Sequence, residues 1–221
     1  VGRRHLRAGA TPHAATLVAL ESRLHVLACA LAGSHMELVP AEDGGGVRGH
    51  RMFLPPTIAL APTAELNTRL FLVRVAYAAA SARLGCALPA AAPPDEHALW
   101  TLLAVPATLA ACARELPAVR ALHVELGALV LATRPDVAAL GPADAALETL
   151  AQLHLGRAPA VLAARVRPDV LAWARTAAAL APDTMTALRA ACDQLRSDFS
   201  RGRLAPVVLW GGLLPPPVES L

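Results

Sequence analysis

The sequence predicts a mainly α-helical protein: a multi-helix bundle with one small β-hairpin near residues 36–54. Leucines recur at spacings of three and four through several long segments, which places them on one face of a helix. Alanine is abundant and aromatic residues make up only 3% of the chain, which favours closely packed helices. A glycine-rich turn between two short extended segments predicts the hairpin.

The first helix is predicted to begin with Thr11 as N-cap and Pro12 in the first helical position, and to end at Gly33. Its apolar stripe consists of Leu17, Leu20, Leu24, Leu27 and Leu31. Two strands, residues 36–40 and 51–54, are predicted to follow and to pair across the glycine-rich loop. Because an isolated two-stranded hairpin is marginally stable in water, we expect it to lie against helices.

The second long helix is predicted from about residue 63 to residue 83, with Asn67, Arg74 and Ser81 as a polar line beside its core row. A further helix is expected from Asp95, broken or kinked at Pro106. The remaining helices are predicted at 117–133, 142–156, 168–181 and 183–200. We therefore place a helical domain with an inserted hairpin at 1–203 and an extended Pro/Gly-rich tail at 204–221, interpreted as a linker to a further domain.

Composition argues against several classes of partner. The 20 basic residues, all arginine, are spread along the chain among 17 acidic residues, whereas a nucleic-acid-binding domain usually clusters them. The charge-free stretch 97–113 contains Pro106 and is shorter than a bilayer requires, so no membrane span is expected. Arg23 and Glu21 interrupt any signal-like apolar run, which predicts a cytoplasmic location.

The residues that usually carry chemistry show no strong pattern. The four cysteines are far apart and lie in apolar helical contexts, typical of buried thiols in a reducing compartment. The eight histidines have no spacing that strongly indicates a metal. Glu125 is interpreted as a solvated or interhelical side chain. We therefore predict no catalytic residues, no cofactor and no metal.

Several short motifs occur in an order that resembles a known family. They are Met52-Phe53-Leu54-Pro55 after the glycine-rich turn, a helix opening near Asn67, Leu116-Pro117, Arg134-Pro135, Leu147-Glu148-Thr149-Leu150, and Val207-Val208-Leu209-Trp210-Gly211. Together they resemble the N-terminal helical region of the von Willebrand A-containing activators that partner MoxR-type AAA+ ATPases, such as NorD and CbbO.

The chain departs from that family at two points. Members often carry two histidines one turn apart in the second long helix, where this chain has Tyr77 and Ser81. A metal role for that helix is therefore not expected. The D-x-S-x-S signature of the von Willebrand A domain does not occur in the sequence, so we expect such a domain to follow Leu221 or to be missing.

The resemblance implies a non-enzymatic adaptor domain that docks on a MoxR-type AAA+ ATPase and helps remodel a client metalloenzyme. The candidate partner contacts are Arg48, Arg51, Asn67, Arg74, Ser81 and Trp210. Two alternatives stay open: an all-α ligand-binding or enzymatic domain with an apolar interhelical cavity, and a peripheral membrane module suggested by the high hydropathy.

Overall fold

The computed structural model describes residues 12–42, 45–85, 94–180, 184–199 and 202–211. It confirms the predicted fold class, since the structure is mainly α-helical with small sheets. The helices are α1 (Leu17–Ala32), α2 (Ala64–Arg83), α3 (Pro94–Glu115), α4 (Ala118–Ala132), α5 (Pro142–His154), α6 (Pro159–Ala163), α7 (Pro168–Leu180) and α8 (Met185–Phe199), with a 3-10 turn at Val137–Ala139. The strands are β1 (Ala15–Thr16), β2 (Glu37–Pro40), β3 (Val47–Arg48), β4 (Arg51–Leu54) and β5 (Thr57–Ile58).

The first helix begins later than the sequence predicted. Its N-cap is Thr16, whose hydroxyl accepts a hydrogen bond from the Ala19 amide at 3.3 Å. Pro12 lies in a turn before the helix, and the predicted cap, Thr11, lies outside the described residues. The reason is tertiary: β1 pairs with β5, 41 or more residues further along, which holds the chain extended up to Thr16. The predicted end is correct, because Gly33 caps the helix in the left-handed conformation.

The small sheet has a different pairing from the predicted hairpin. Strands β2 and β4 lie side by side but run parallel, with Glu37 opposite Arg51 and Pro40 opposite Leu54. The antiparallel hairpin is the tighter one between β3 and β4, which turns at Gly49 with φ of 57°. The glycine-rich loop therefore crosses to the far edge of β4 instead of joining two antiparallel neighbours.

Helix α2 is the centre of the domain. It begins after Thr63, as predicted, and its middle is buried on every side from Val73 to Ser81. It packs against α1, α3, α4 and the strands. The alanines at 76 and 78–80 have little bulk, so neighbouring helices can approach its backbone closely.

The third helix continues through Pro106, so of the two alternatives predicted at this residue, a break and a kink, the break is wrong. A proline inside a helix costs roughly 3 kcal/mol because it removes a hydrogen bond and crowds the preceding turn. Fully buried Leu102, Leu103 and Val105 precede it directly, and their packing offsets that cost. By length and composition alone, Glu96–Glu115 is the one described helical stretch that could cross a membrane. More than half of its most apolar part is buried inside the domain.

The chain does not leave the core at residue 203. Val207, Leu209 and Trp210 are at most 1% exposed and belong to the same apolar cluster as the helices. Residues 204–211 of the predicted tail therefore pack as part of the helical domain. The remainder of that tail, residues 212–221, lies outside the described residues.

Candidate functional site

A buried ion pair joins the end of α4 to the middle of α5. Arg134 donates from Nε to Oε1 of Glu148 at 2.9 Å, and a second bond joins its Nη2 to Oε2. Both side chains are at most 5% exposed. Gln152, one turn along α5, donates to the same Oε1 at 2.8 Å and to the Pro135 carbonyl at 3.0 Å. Glu148 is thus held by two donors in a region shielded from water.

Arg134 also binds the C-terminal segment, which we define as residues 202–211. Arg134 Nη1 donates to the carbonyls of Ala205 and Pro206 at 3.0 and 3.1 Å. From α2, Arg74 Nη1 donates to the Val208 carbonyl at 3.3 Å. One arginine of α2 and one in the turn after α4 therefore bind three carbonyls of a stretch that belongs to no helix or strand.

Trp210 of this segment forms an aromatic cluster with Tyr77 of α2 and His123 of α4. The ring nitrogen Nε2 of His123 is 2.9 Å from the carbonyl oxygen of His154, which can only accept a hydrogen bond. Nε2 must therefore carry the proton, and Nδ1 accepts from the Tyr77 hydroxyl at 2.8 Å. His123 also stacks on Trp210, with ring centroids 6.2 Å apart and planes 12° apart.

Burial keeps the titratable groups of this region neutral. It raises the pKa of Tyr77 well above its usual value, with a further increase from nearby Cys112. It lowers the pKa of His123 and lowers that of His154 to about 4. It raises the pKa of Cys112 to about 12, and this thiol donates to the Ala76 carbonyl at 3.3 Å. A nucleophile or a general base needs a pKa near the working pH, so these groups are suited to support the fold.

The six residues predicted to contact a partner fall into two groups. Asn67, Arg74, Ser81 and Trp210 are buried, so their interpretation as a polar line or a partner contact on the surface is replaced by a structural one. Asn67, for example, binds the backbone of Ala61 through both amide atoms, at 2.8 and 3.0 Å, and the His13 carbonyl at 2.7 Å. Sequence periodicity cannot tell a polar row that faces water from one that binds backbone.

The other two lie at the β3–β4 hairpin and reach the surface. Arg51 pairs with Glu37 at 2.9 Å, with more than half of each side chain exposed. The Arg48 guanidinium lies 5.9 Å from the centre of the Phe53 ring. Glu125, predicted to be solvated or interhelical, is indeed interhelical: it pairs with Arg69 of α2 at 3.2 Å.

Sequence reasoning missed one group of side chains. His25 and Cys29 lie one turn apart near the end of α1, and His35 follows the turn at Gly33. Their ligand-type atoms all lie within 4.8 Å of one another. The signal was present as a histidine and a cysteine at i and i+4, which share one face of a helix. The third member, six residues later and outside the helix, depends on how the turn folds back.

Comparisons with protein-family models, with curated proteins and with solved structures found no match. The fold and these sites define the class: a mainly α-helical domain with small sheets, whose buried polar groups bind one another and the C-terminal segment.

Proposed function

We propose that this chain is a non-enzymatic adaptor domain that acts in the cytoplasm with a MoxR-type AAA+ ATPase and helps to remodel a client metalloenzyme. The observation that carries the proposal is the attachment of the C-terminal segment to α2 and to α4 with its following turn, through Arg74, Arg134 and Trp210. The segment is also bound to α5, where Asp144 Oδ1 accepts a hydrogen bond from the Arg203 amide at 2.7 Å. An adaptor has to pass force between a docking surface and the rest of its chain. A segment fixed at several points to rigid helices is suited to that task.

The ionisable groups of the core also favour this proposal. The Arg134–Glu148 pair and the Tyr77–His123 pair use their hydrogen-bonding atoms on each other and on backbone carbonyls. Chemistry at such groups requires a site that a substrate can reach. Their role in the proposed adaptor is to hold the helices and the C-terminal segment together.

The docking surface of the proposal is the β3–β4 hairpin, with Arg48 and Arg51 as the contact residues. Charged groups at the edge of an interface steer association and select partners, so we expect an acidic surface on the ATPase or on the client. The other four residues predicted from the sequence as partner contacts are buried, so they are not part of this docking surface.

The test is a binding experiment with a MoxR-type AAA+ ATPase from the same genome. Size-exclusion chromatography and pull-down are run without nucleotide, with ADP and with a slowly hydrolysed ATP analogue. We expect association in at least one state, weakened about tenfold or more by the double change Arg48→Glu and Arg51→Glu. Arg175→Glu on the exposed surface of α7 is the matched control and leaves binding unchanged. No association in any nucleotide state overturns the proposal.

The sequence also leaves open an apolar interhelical ligand cavity as an alternative. No specific observation on residues 12–42, 45–85, 94–180, 184–199 and 202–211 favours it.

A further inference from the structure

The end of α1 and the turn that follows bring three metal-binding side chain types together. His25 and Cys29 are half-buried on one face of α1, and His35 is exposed just beyond it. The proposed adaptor function does not use their ring nitrogens and thiol. We propose that His25, Cys29 and His35 bind a zinc ion through three protein ligands, with water in the fourth position.

The distances suit a tetrahedral ion. Zinc bonds of roughly 2.0–2.1 Å to nitrogen and about 2.3 Å to sulfur separate two such ligands by about 3.6 Å in tetrahedral geometry. The Nε2 of His25 and the Sγ of Cys29 are 3.6 Å apart. The three ligand atoms lie within 4.8 Å of one another, so a contraction of at most about 1.5 Å completes the set. His35 is exposed, and rotation of its side chain supplies that contraction.

The backbone of the turn places the third ligand. Gly33 has φ of 69°, and its amide donates to the Cys29 carbonyl at 3.0 Å, so the chain folds back over the last turn of α1. Fully buried Met36 then fixes the far side of the turn in the core. His35 is therefore held between two anchored residues, and its ring lies 5.2 Å from that of His25, edge to face.

The sulfur also has a second partner of the kind found around bound thiolates. The Met36 amide donates to Cys29 Sγ at 3.3 Å. Amide donors of this type stabilise negative charge on a ligand sulfur and fix its direction towards the metal. The donor set itself, two imidazoles and one thiolate, suits a borderline-soft ion and disfavours Mg²⁺ or Ca²⁺, which prefer oxygen ligands.

The experiment titrates the purified chain with Co²⁺ as a spectroscopic probe and with Zn²⁺ in competition with a chromophoric chelator. We expect one equivalent of Co²⁺ to give a thiolate-to-cobalt charge-transfer band that excess Zn²⁺ abolishes. Cys29→Ser removes the band. His25→Ala and His35→Ala weaken Zn²⁺ binding by at least the roughly 10- to 100-fold that loss of even an outer-sphere partner costs. His13→Ala, at another exposed histidine, changes nothing.

A second readout protects the test against a variant that fails to fold. Zn²⁺ is expected to raise the melting temperature of the wild-type chain but not that of His35→Ala, whose replaced side chain is exposed and leaves the metal-free fold intact. A missing charge-transfer band overturns the proposal. So does Zn²⁺ binding that survives His35→Ala unchanged, since it reveals a pair of ligands on α1 alone. All measurements use the isolated chain, so failure here leaves the adaptor proposal unaffected.

Discussion

Arg134 and Glu148 illustrate how this domain makes use of charge in its interior. Removing two ions from water is costly, and their mutual attraction compensates only when further hydrogen bonds satisfy the remaining donors and acceptors. Here Gln152 binds the carboxylate, and the carbonyls of Ala205 and Pro206 bind the guanidinium. The pair is therefore most useful as a device that specifies where the C-terminal segment lies.

Removing one partner of this pair is expected to be strongly destabilising. Glu148→Ala leaves the Arg134 guanidinium buried with an uncompensated charge, and we expect the free energy of unfolding to fall by about 3–5 kcal/mol. Urea denaturation followed by circular dichroism measures it. Asp169→Ala, which removes one partner of an exposed pair with Arg167, is the control and should cost much less. Equal losses in the two variants contradict the assigned role.

His154 makes stability depend on pH with a definite sign. Burial lowers its pKa from 6.5 to about 4, so between these values the unfolded chain binds a proton that the folded chain does not. Stability is therefore complete above about pH 6.5 and falls as the pH is lowered towards 4, by about 3 kcal/mol at most from this group. Burial also lowers the pKa of His123, which adds a change of the same sign.

Urea denaturation at a series of pH values from 7.5 to 4.5 measures this dependence. Replacement of the imidazole in His154→Gln should flatten the curve, because the amide does not titrate. His97→Gln, on α3, serves as a control that keeps the wild-type slope. Identical slopes for wild type and His154→Gln show that another group is responsible.

At the scale of elements, local patterns predicted the helices well. Thr63 caps α2, Gly33 ends α1 and Pro142 opens α5, as their sequence contexts indicated. These signals are local, since a cap or a leucine stripe acts within one or two turns. The strand pairing was less predictable. β2 pairs in parallel with β4, and β1 pairs with β5, from which it is separated in the sequence by α1 and three strands. Each strand is only two to four residues long, so its own sequence does not indicate which other strand it pairs with.

The contact between the C-terminal segment and α5 offers a test at this scale. A Cβ on Gly202 would lie 3.0 Å from Leu147 Cδ1 and 3.1 Å from the Ala143 carbonyl oxygen. Because backbone cannot move aside cheaply, Gly202→Ala is expected to lower the free energy of unfolding by about 1–3 kcal/mol. At Gly141, the N-cap of α5, the added methyl meets nothing within 4 Å, so Gly141→Ala should show only the smaller cost of a poorer cap, about 1 kcal/mol or less. Thermal or urea unfolding of the two variants measures both changes in the free energy of unfolding.

At the scale of the whole molecule, one apolar cluster runs from β1 through the helices to Trp210. Its size comes from many leucines and alanines instead of aromatic rings. Because the C-terminal segment shares this cluster, the segment and the helices should lose their structure together. A smaller cluster of Val137, Leu162 and Leu171 seats α6 and α7 beside it.

We therefore expect a single cooperative unfolding transition. Tryptophan fluorescence, which reports on buried Trp100 and Trp210, and far-ultraviolet circular dichroism, which reports on the helices, should give the same midpoint in urea. A fluorescence transition at lower urea than the helical one, present in the wild type and absent from Trp210→Phe, shows that the C-terminal segment detaches first. That result also removes the main support for the adaptor proposal, which requires a firmly attached segment.

By itself, the sequence determined the fold class, most helix bounds and the apolar stripes, because helix periodicity and capping are properties of neighbouring residues. Tertiary structure alone decided the strand pairing, the burial of Asn67, Arg74 and Ser81, and the attachment of residues 202–211. It also decided that His35 lies close to His25 and Cys29. The physical reason is common to all four: each depends on which faces pack together and where a turn folds back, and a pattern along one chain does not specify either.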